Sequence, residues 1–191
     1  MARKTIQLKS KTIGIIGFGQ IGKAIAKKVK AFDMHVIATK RLQKKVETKK
    51  FVDELIPFSE INRLLKESDY VVIACPLTPL TKGMISTVQL KKMKPSSFII
   101  NIARGAIIDE LALIHALQSK KIAGAGLDVF KNEPLEKSNP LFDMDNVFLS
   151  PHISGNFPEY QEDVIVQFAE NLDRYFSGKA LKNRVCKKRQ Y

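Results

Sequence analysis

Three side chains with complementary acid–base chemistry stand just beyond short apolar runs. Arg104 follows residues 98–102, Glu133 lies a few residues past 122–129, and His152 follows 147–149. Together they suit the reduction of a carbonyl that sits beside a carboxylate. As a hydride reaches the carbonyl carbon, negative charge grows on its oxygen, and a nearby proton donor and cation stabilise it. His152 can donate that proton, Glu133 can support the imidazole through a hydrogen bond, and Arg104 can grip the substrate carboxylate. In the oxidative direction a neutral His152 would act as base. Each residue also has a plain reading, Arg104 as a surface ion pair and Glu133 as a solvated loop carboxylate. Cys75 reads as a packed strand-end residue, and His35 and His115 as structural.

Upstream, Gly17-Phe18-Gly19-Gln20-Ile21-Gly22 is a G-x-G-x-x-G placed between an apolar run and a helical pattern. Gly17 permits a tight turn, Gly19 lets a pyrophosphate approach the backbone, and Gly22 lets the helix lie close on the strand. In this context the motif predicts a dinucleotide site. The acidic residue that would hold an NAD ribose is missing, because no Asp or Glu lies between Asp33 and Glu47. The second strand ends in Thr39-Lys40-Arg41 instead, and Lys40 and Arg41 can pair with a 2′-phosphate, so NADP is expected in preference to NAD.

Positioning these residues requires strands alternating with helices. Residues 13–16, 34–39, 70–74, 98–102, 122–129 and 147–149 read as strands, with 51–56 a short edge-like segment and 41–50 a polar loop. Helical spacing follows the glycine turn, with Ile21, Ala24, Ile25, Val29 and Phe32 on one stripe, and recurs from about 59, over 86–93 and 109–119, and over 158–177. Such βαβ units imply an α/β domain with a parallel sheet covered by helices on both faces. Ligands bind beyond the carboxyl ends of such strands, where the three chemical side chains fall.

The 191 residues suit one globular domain or slightly more, and the 45% hydrophobic content argues against disorder. The formal charge of +13 is uneven: residues 1–50 hold 14 basic and 2 acidic side chains, and residues 182–191 hold 5 basic and none acidic. That field favours a phosphate-bearing partner without choosing one. Two cysteines, Cys75 and Cys186, make no disulfide framework, and no Cys/His spacing predicts a metal, so a reducing cytoplasm is the expected compartment. The longest charge-free run, 146–158, is too short and too rich in Pro and Gly for a membrane span. Four glycines in the apolar stretch at 12–22 make a poor signal peptide.

The ordered motifs resemble the D-isomer-specific 2-hydroxyacid dehydrogenases, a family that includes glyoxylate/hydroxypyruvate reductases and phosphoglycerate dehydrogenases. The resemblance runs from about residue 11 to 185. It rests on the glycine turn, residues 75–81, Asn101 to Asp109 with Arg104-Gly105, Gly126-Leu127-Asp128-Val129-Phe130 with Glu133-Pro134, and Ser150-Pro151-His152. It implies a Rossmann-type doubly wound sheet plus a long C-terminal helix. The implied boundaries are an N-terminal segment 1–10, an NAD(P)-binding domain 11–157, a helix 158–178 and a basic tail 179–191. The implied catalytic residues are Arg104, Glu133 and His152. Cofactor contacts are implied for Gly17, Gly19, Gln20, Ile21, Gly22, Thr39, Lys40, Arg41, Cys75, Pro76, Thr81, Ile102, Ala103, Arg104, Asp128, His152 and Gly155, with Asp128 approaching the nicotinamide carboxamide.

The resemblance further implies a small 2-oxo or 2-hydroxy acid as substrate and a homodimer built on the cofactor domain. Family members carry a substrate domain made mostly from their first hundred or so residues, whereas here the glycine turn comes almost at once. The helix 158–178 is then expected to pack on the cofactor domain or on another copy, or to stay mobile. The alternative reading is a catalytically incomplete fragment or a non-enzymatic dinucleotide-binding interaction module. Nucleic-acid binding rests on charge alone and is not expected.

Overall fold

The computed structural model describes residues 6–187, so the start of the expected N-terminal segment (1–5) and the end of the basic tail (188–191) lie outside it. The chain divides into two compact units, Met1–His152 and Ile153–Tyr191, each described by itself.

The first unit is a sheet of eight strands. β1 (Thr12–Ile16) leads through the glycine turn into α1 (Gln20–Lys30), then β2 (His35–Lys40), β3 (Glu47–Lys49), β4 (Val52–Pro57) and α2 (Ile61–Glu67). β5 (Tyr70–Ile73), α3 (Thr87–Leu90), β6 (Phe98–Asn101), α4 (Glu110–Gln118), β7 (Gly124–Leu127) and β8 (Val147–Leu149) follow. The spatial order is β3-β4-β2-β1-β5-β6-β7-β8, parallel throughout except for β3, which runs antiparallel to β4. The chain moves outward from β1 in one direction, then returns to β5 and moves outward in the other. The crevice between the carboxyl ends of β1 and β5 is thus the switch point where such sheets bind ligands.

Strand alternation divides the core in two. Ile13, Ile15, Val36, Ala38 and Val72 join Ala26, Ile25 and Val29 of α1 in one cluster. Ile16, Ile37, Val71 and Ile73 join α2, α3 and α4 through Leu64, Leu90 and Leu113 in the other. Side chains at successive strand positions point to opposite faces, so one short apolar run feeds both layers.

A polar knot anchors the amino ends of the strands. Asp69 accepts the Thr12 N–H at 2.9 Å and the Lys94 ammonium at 2.9 Å, tying β1, β5 and the approach to β6 together. Burial pushes the Asp69 carboxyl up, but these donors outweigh it and the group lies below its ordinary range.

Three expectations are corrected. The polar loop 41–50 contains β3, whose residues Glu47, Thr48 and Lys49 show no apolar alternation because the strand is an outer edge. The segment read as edge-like is internal, since β4 pairs with β2 on one side and β3 on the other. The expected helix at 86–93 is one turn, Thr87–Leu90, opened by a Ser86–Gln89 capping box and followed closely by Pro95.

In the second unit, α5 (Tyr160–Phe176) carries Ile165, Phe168, Tyr175 and Phe176 exposed, and none of its residues is buried. The tail runs back along this helix as far as it is described. Asn171 and Lys182 exchange two hydrogen bonds at 2.8 and 3.2 Å, Arg174 donates to the Ala180 carbonyl at 2.6 Å, and Asn183 donates to Gln167 at 2.6 Å. Among the described residues, no helix is long and apolar enough to cross a membrane.

Candidate functional site

The glycine turn lies at the switch point. Gly17 has φ +103° and its N–H bonds the Thr39 carbonyl at 3.2 Å, joining the ends of β1 and β2. A Cβ on Gly17 would come within 2.8 Å of the Ala74 and Cys75 backbone, so the turn presses against the end of β5. Gly19, by contrast, opens on space: a Cβ there would meet nothing within 4 Å. Gly19 also caps α1 without any side-chain hydrogen bond, and the first helical turn contains no acid. An uncapped helix start with an open backbone in front of it fits a pyrophosphate. Gln20 and Ile21 are exposed on that first turn, and Gly22 is buried beneath it.

At the adenosine corner, Lys40 and Arg41 are exposed and Thr39 is not. Of the contact residues expected at this corner, Thr39 has its hydroxyl fully buried and without a hydrogen-bond partner among the described residues. β2 is buried on both faces over Val36 to Thr39, and the polar type of Thr39 concealed that burial. Cys75 and Thr81 are likewise buried, while Pro76 is exposed. Burial pushes the Cys75 thiol up to about 11, far from nucleophilic poise. The Thr81 hydroxyl accepts the Thr78 N–H at 2.8 Å and donates to the Pro76 carbonyl at 2.8 Å, shaping the loop after β5.

The chemical side chains gather at the ends of β6, β7 and β8. His152 Nδ1 lies 2.7 Å from Glu133 Oε2, and the Phe130 N–H donates to Glu133 Oε1 at 2.9 Å. His152 and then the Phe130 amide hold the Glu133 carboxyl below its ordinary value, with a smaller contribution from the charge of Arg104. An ionised carboxylate can only accept, so Nδ1 carries the proton and Nε2 is the nitrogen available to a ligand. His152 has φ +58°, a conformation uncommon for a residue with a side chain. A cavity of about 660 Å³ lies beside this pair, walled by Phe130, Leu135, Phe142 and Leu149.

Arg104 is exposed, with its guanidinium donating to the Ala103 carbonyl at 2.6 Å. Two features that sequence reading missed hold its loop. Asn101, 1% exposed, donates to the Arg104 carbonyl at 3.0 Å and accepts the Ala103 N–H at 3.1 Å, fixing the half-buried Ile102 and Ala103 between them. Gly105 then packs directly on the loop after β7, because a Cβ there would stand 1.9 Å from the Phe130 carbonyl carbon. A polar residue closing a buried strand just before an Arg-Gly pair was the available signal for both.

Asp128 is the residue expected to approach a nicotinamide carboxamide. Asp128 is 4% exposed and accepts the Ser150 hydroxyl, bracing β7 against β8 directly before His152. Gly155 belongs to the second unit. Among the described residues no cluster of His, Cys, Asp and Glu could hold a metal ion.

Comparison with known proteins agrees with this geometry. The family described as D-isomer specific 2-hydroxyacid dehydrogenase, NAD binding domain, matches residues 1–154. A glyoxylate reductase of Pyrococcus furiosus is 45% identical over 172 residues, covering 90% of this chain and 50% of the relative. A D-3-phosphoglycerate dehydrogenase of Methanocaldococcus jannaschii is 39% identical over 182 residues, covering 95% of this chain and 34% of the relative. The NADPH-dependent glyoxylate/hydroxypyruvate reductase of Sinorhizobium meliloti, solved with NADP and sulfate, superposes with TM-score 0.89 at 28% identity, covering 100% of this chain and 60% of that one. The chain spans about half the length of the glyoxylate reductases it matches. With the glycine turn at the switch point, the Arg104, Glu133 and His152 loops at neighbouring strand ends, and the match over 154 residues, the chain belongs to the NAD-binding domain family of the D-isomer-specific 2-hydroxyacid dehydrogenases.

Proposed function

We propose that this chain is the cofactor-binding part of an oxidoreductase that reduces a small 2-oxo acid, such as glyoxylate or hydroxypyruvate, with NADP(H) in preference to NAD(H). The observation that carries the reading is the 2.7 Å His152–Glu133 pair beside the Arg104 loop. The nicotinamide, when bound, supplies the hydride or takes it back. Arg104 pairs with the substrate carboxylate and draws charge toward the carbonyl oxygen. Glu133 holds the Nδ1 proton of His152, so Nε2 gives a proton to that oxygen in reduction and removes it in oxidation. Gln20 and Ile21 would meet the pyrophosphate, with Gly19 leaving the backbone open to it.

Lys40 and Arg41 support the NADP preference, because both are exposed cations at the ribose corner and the sequence holds no Asp or Glu between Asp33 and Glu47. Relatives solved with NADPH or NADP add support. Titration with NADPH and NADH, followed by nucleotide fluorescence, tests this. We expect NADPH to bind about tenfold tighter or more, a difference of about 1.4 kcal/mol. Equal or tighter NADH binding overturns the preference, and binding of neither overturns the dinucleotide reading. The same reading extends to a homodimer in the cytoplasm, and a monomeric mass by sedimentation at micromolar concentration would count against the dimer.

A further inference from the structure

The basic excess of the first fifty residues is larger than a ribose corner needs, and the fold concentrates part of it around one hollow. A cavity of about 590 Å³ lies between α1 and the β3–β4 hairpin, with Lys23, Lys27, Lys40, Lys49 and Lys50 among its lining residues. Phe18, Phe51 and Leu55 give it apolar walls. Lys49 is neutralised by Glu47 at 2.7 Å, and the Lys50 ammonium stands 5.3 Å from the centre of the Phe51 ring. Lys23, Lys27 and Lys40 have no acidic partner among the described residues.

This arrangement leaves the hollow positively charged. Lys23 and Lys27 are an i,i+4 pair of like charges on α1, a helix with no acid in its first turn. Like charges lining one hollow attract an anion to it. Phe51 adds a second sign of construction. It turns the hairpin at φ +67°, a conformation unusual for phenylalanine, and in doing so contributes to the cavity wall.

We propose that this cavity is a second anion site that binds a phosphate monoester carrying a compact apolar body. Several compact ammonium charges suit a dianionic phosphate, while the phenylalanine rings and lysine stems accept an apolar group. The volume is in the range of small-molecule sites rather than of a flat polyanion track. The site meets the dinucleotide reading at Phe18 of the glycine turn and at Lys40, which border both places.

Phenyl phosphate and inorganic phosphate are the probes, titrated calorimetrically into the full chain with and without saturating NADPH. We expect phenyl phosphate to bind once per chain, to bind at most a few-fold more weakly with NADPH present because Lys40 borders both places, and to exceed inorganic phosphate by about tenfold in affinity. Lys23→Gln with Lys27→Gln should weaken it about tenfold while leaving NADPH affinity unchanged. Phe51→Ala should remove the preference for phenyl phosphate over inorganic phosphate. Absence of phenyl phosphate binding, its displacement by NADPH, or unchanged affinity in the lysine variant overturns the proposal. Loss of NADPH binding alone, with phenyl phosphate still bound, overturns the dinucleotide reading and leaves this site standing.

Discussion

The same single-carbon change at two glycines of one turn should have opposite consequences. In Gly22→Ala the new Cβ would stand 2.2 Å from the Gly17 carbonyl oxygen and 3.3 Å from Ile15. The first contact is with backbone, so α1 must lift from β1 or the turn must open. Overpacking of this kind costs about 3 kcal/mol, which for a chain of this size lowers the melting temperature by about 6–12 °C. In Gly19→Ala the Cβ meets nothing within 4 Å, and the backbone at φ −88°, ψ −157° is open to alanine. Reduced freedom of the unfolded chain is worth about 0.4–1 kcal/mol, and a poorer helix cap offsets a similar amount, so stability should hold within about 1 kcal/mol. The methyl nonetheless occupies the space a pyrophosphate needs, and losing a charge-assisted amide bond there costs about 1.5–3 kcal/mol, or about 10- to 100-fold in NADPH affinity. Circular dichroism melts and NADPH fluorescence titration of both variants read the two effects separately. Wild-type NADPH affinity in Gly19→Ala would refute the placement of the pyrophosphate, and a wild-type melt in Gly22→Ala would refute the packing argument.

Two further predictions concern titration. His152→Ala removes the main cause of the depressed Glu133 carboxyl, so its titration, followed by carbon NMR, should rise toward the ordinary value of about 4.3. No change would mean that the 2.7 Å pair does not persist in solution. Asp69→Asn replaces a carboxylate whose folded titration lies below its ordinary value, and it should destabilise the chain by about 1–3 kcal/mol at pH 7. A depressed carboxylate contributes fully above its unfolded value of about 3.9 and loses that contribution as pH falls through the folded value. Urea denaturation of both proteins should therefore show a gap that is full near neutrality and closes in acid, and a gap independent of pH would reject the role given to the charge.

Apolar runs and glycine spacing made most of this domain legible. Strands such as 13–16 and 98–102 are recognisable because a parallel sheet buried on both faces needs continuous apolar sequence. Asp109 opening α4 is readable because a helix start needs an acceptor, and Asp109 takes the Ala112 N–H at 3.2 Å. β3 escaped because an edge strand can be wholly polar, and the hairpin turn escaped because Phe51 at positive φ replaces the glycine or asparagine that would have marked it.

For the site, the sequence by itself determined which chemistry is available: a glycine turn, a basic ribose corner without an acid, and Arg104, Glu133 and His152 after successive strands. Only the tertiary structure decided which of those side chains face outward. It turned Thr39 and Asp128 inward, gave Glu133 its two donors, and let Gly105 bring the Arg104 loop against Phe130. The physical reason is that residue type and spacing fix the local phase of a strand or turn, whereas burial, partner and approach distance depend on elements far apart in sequence.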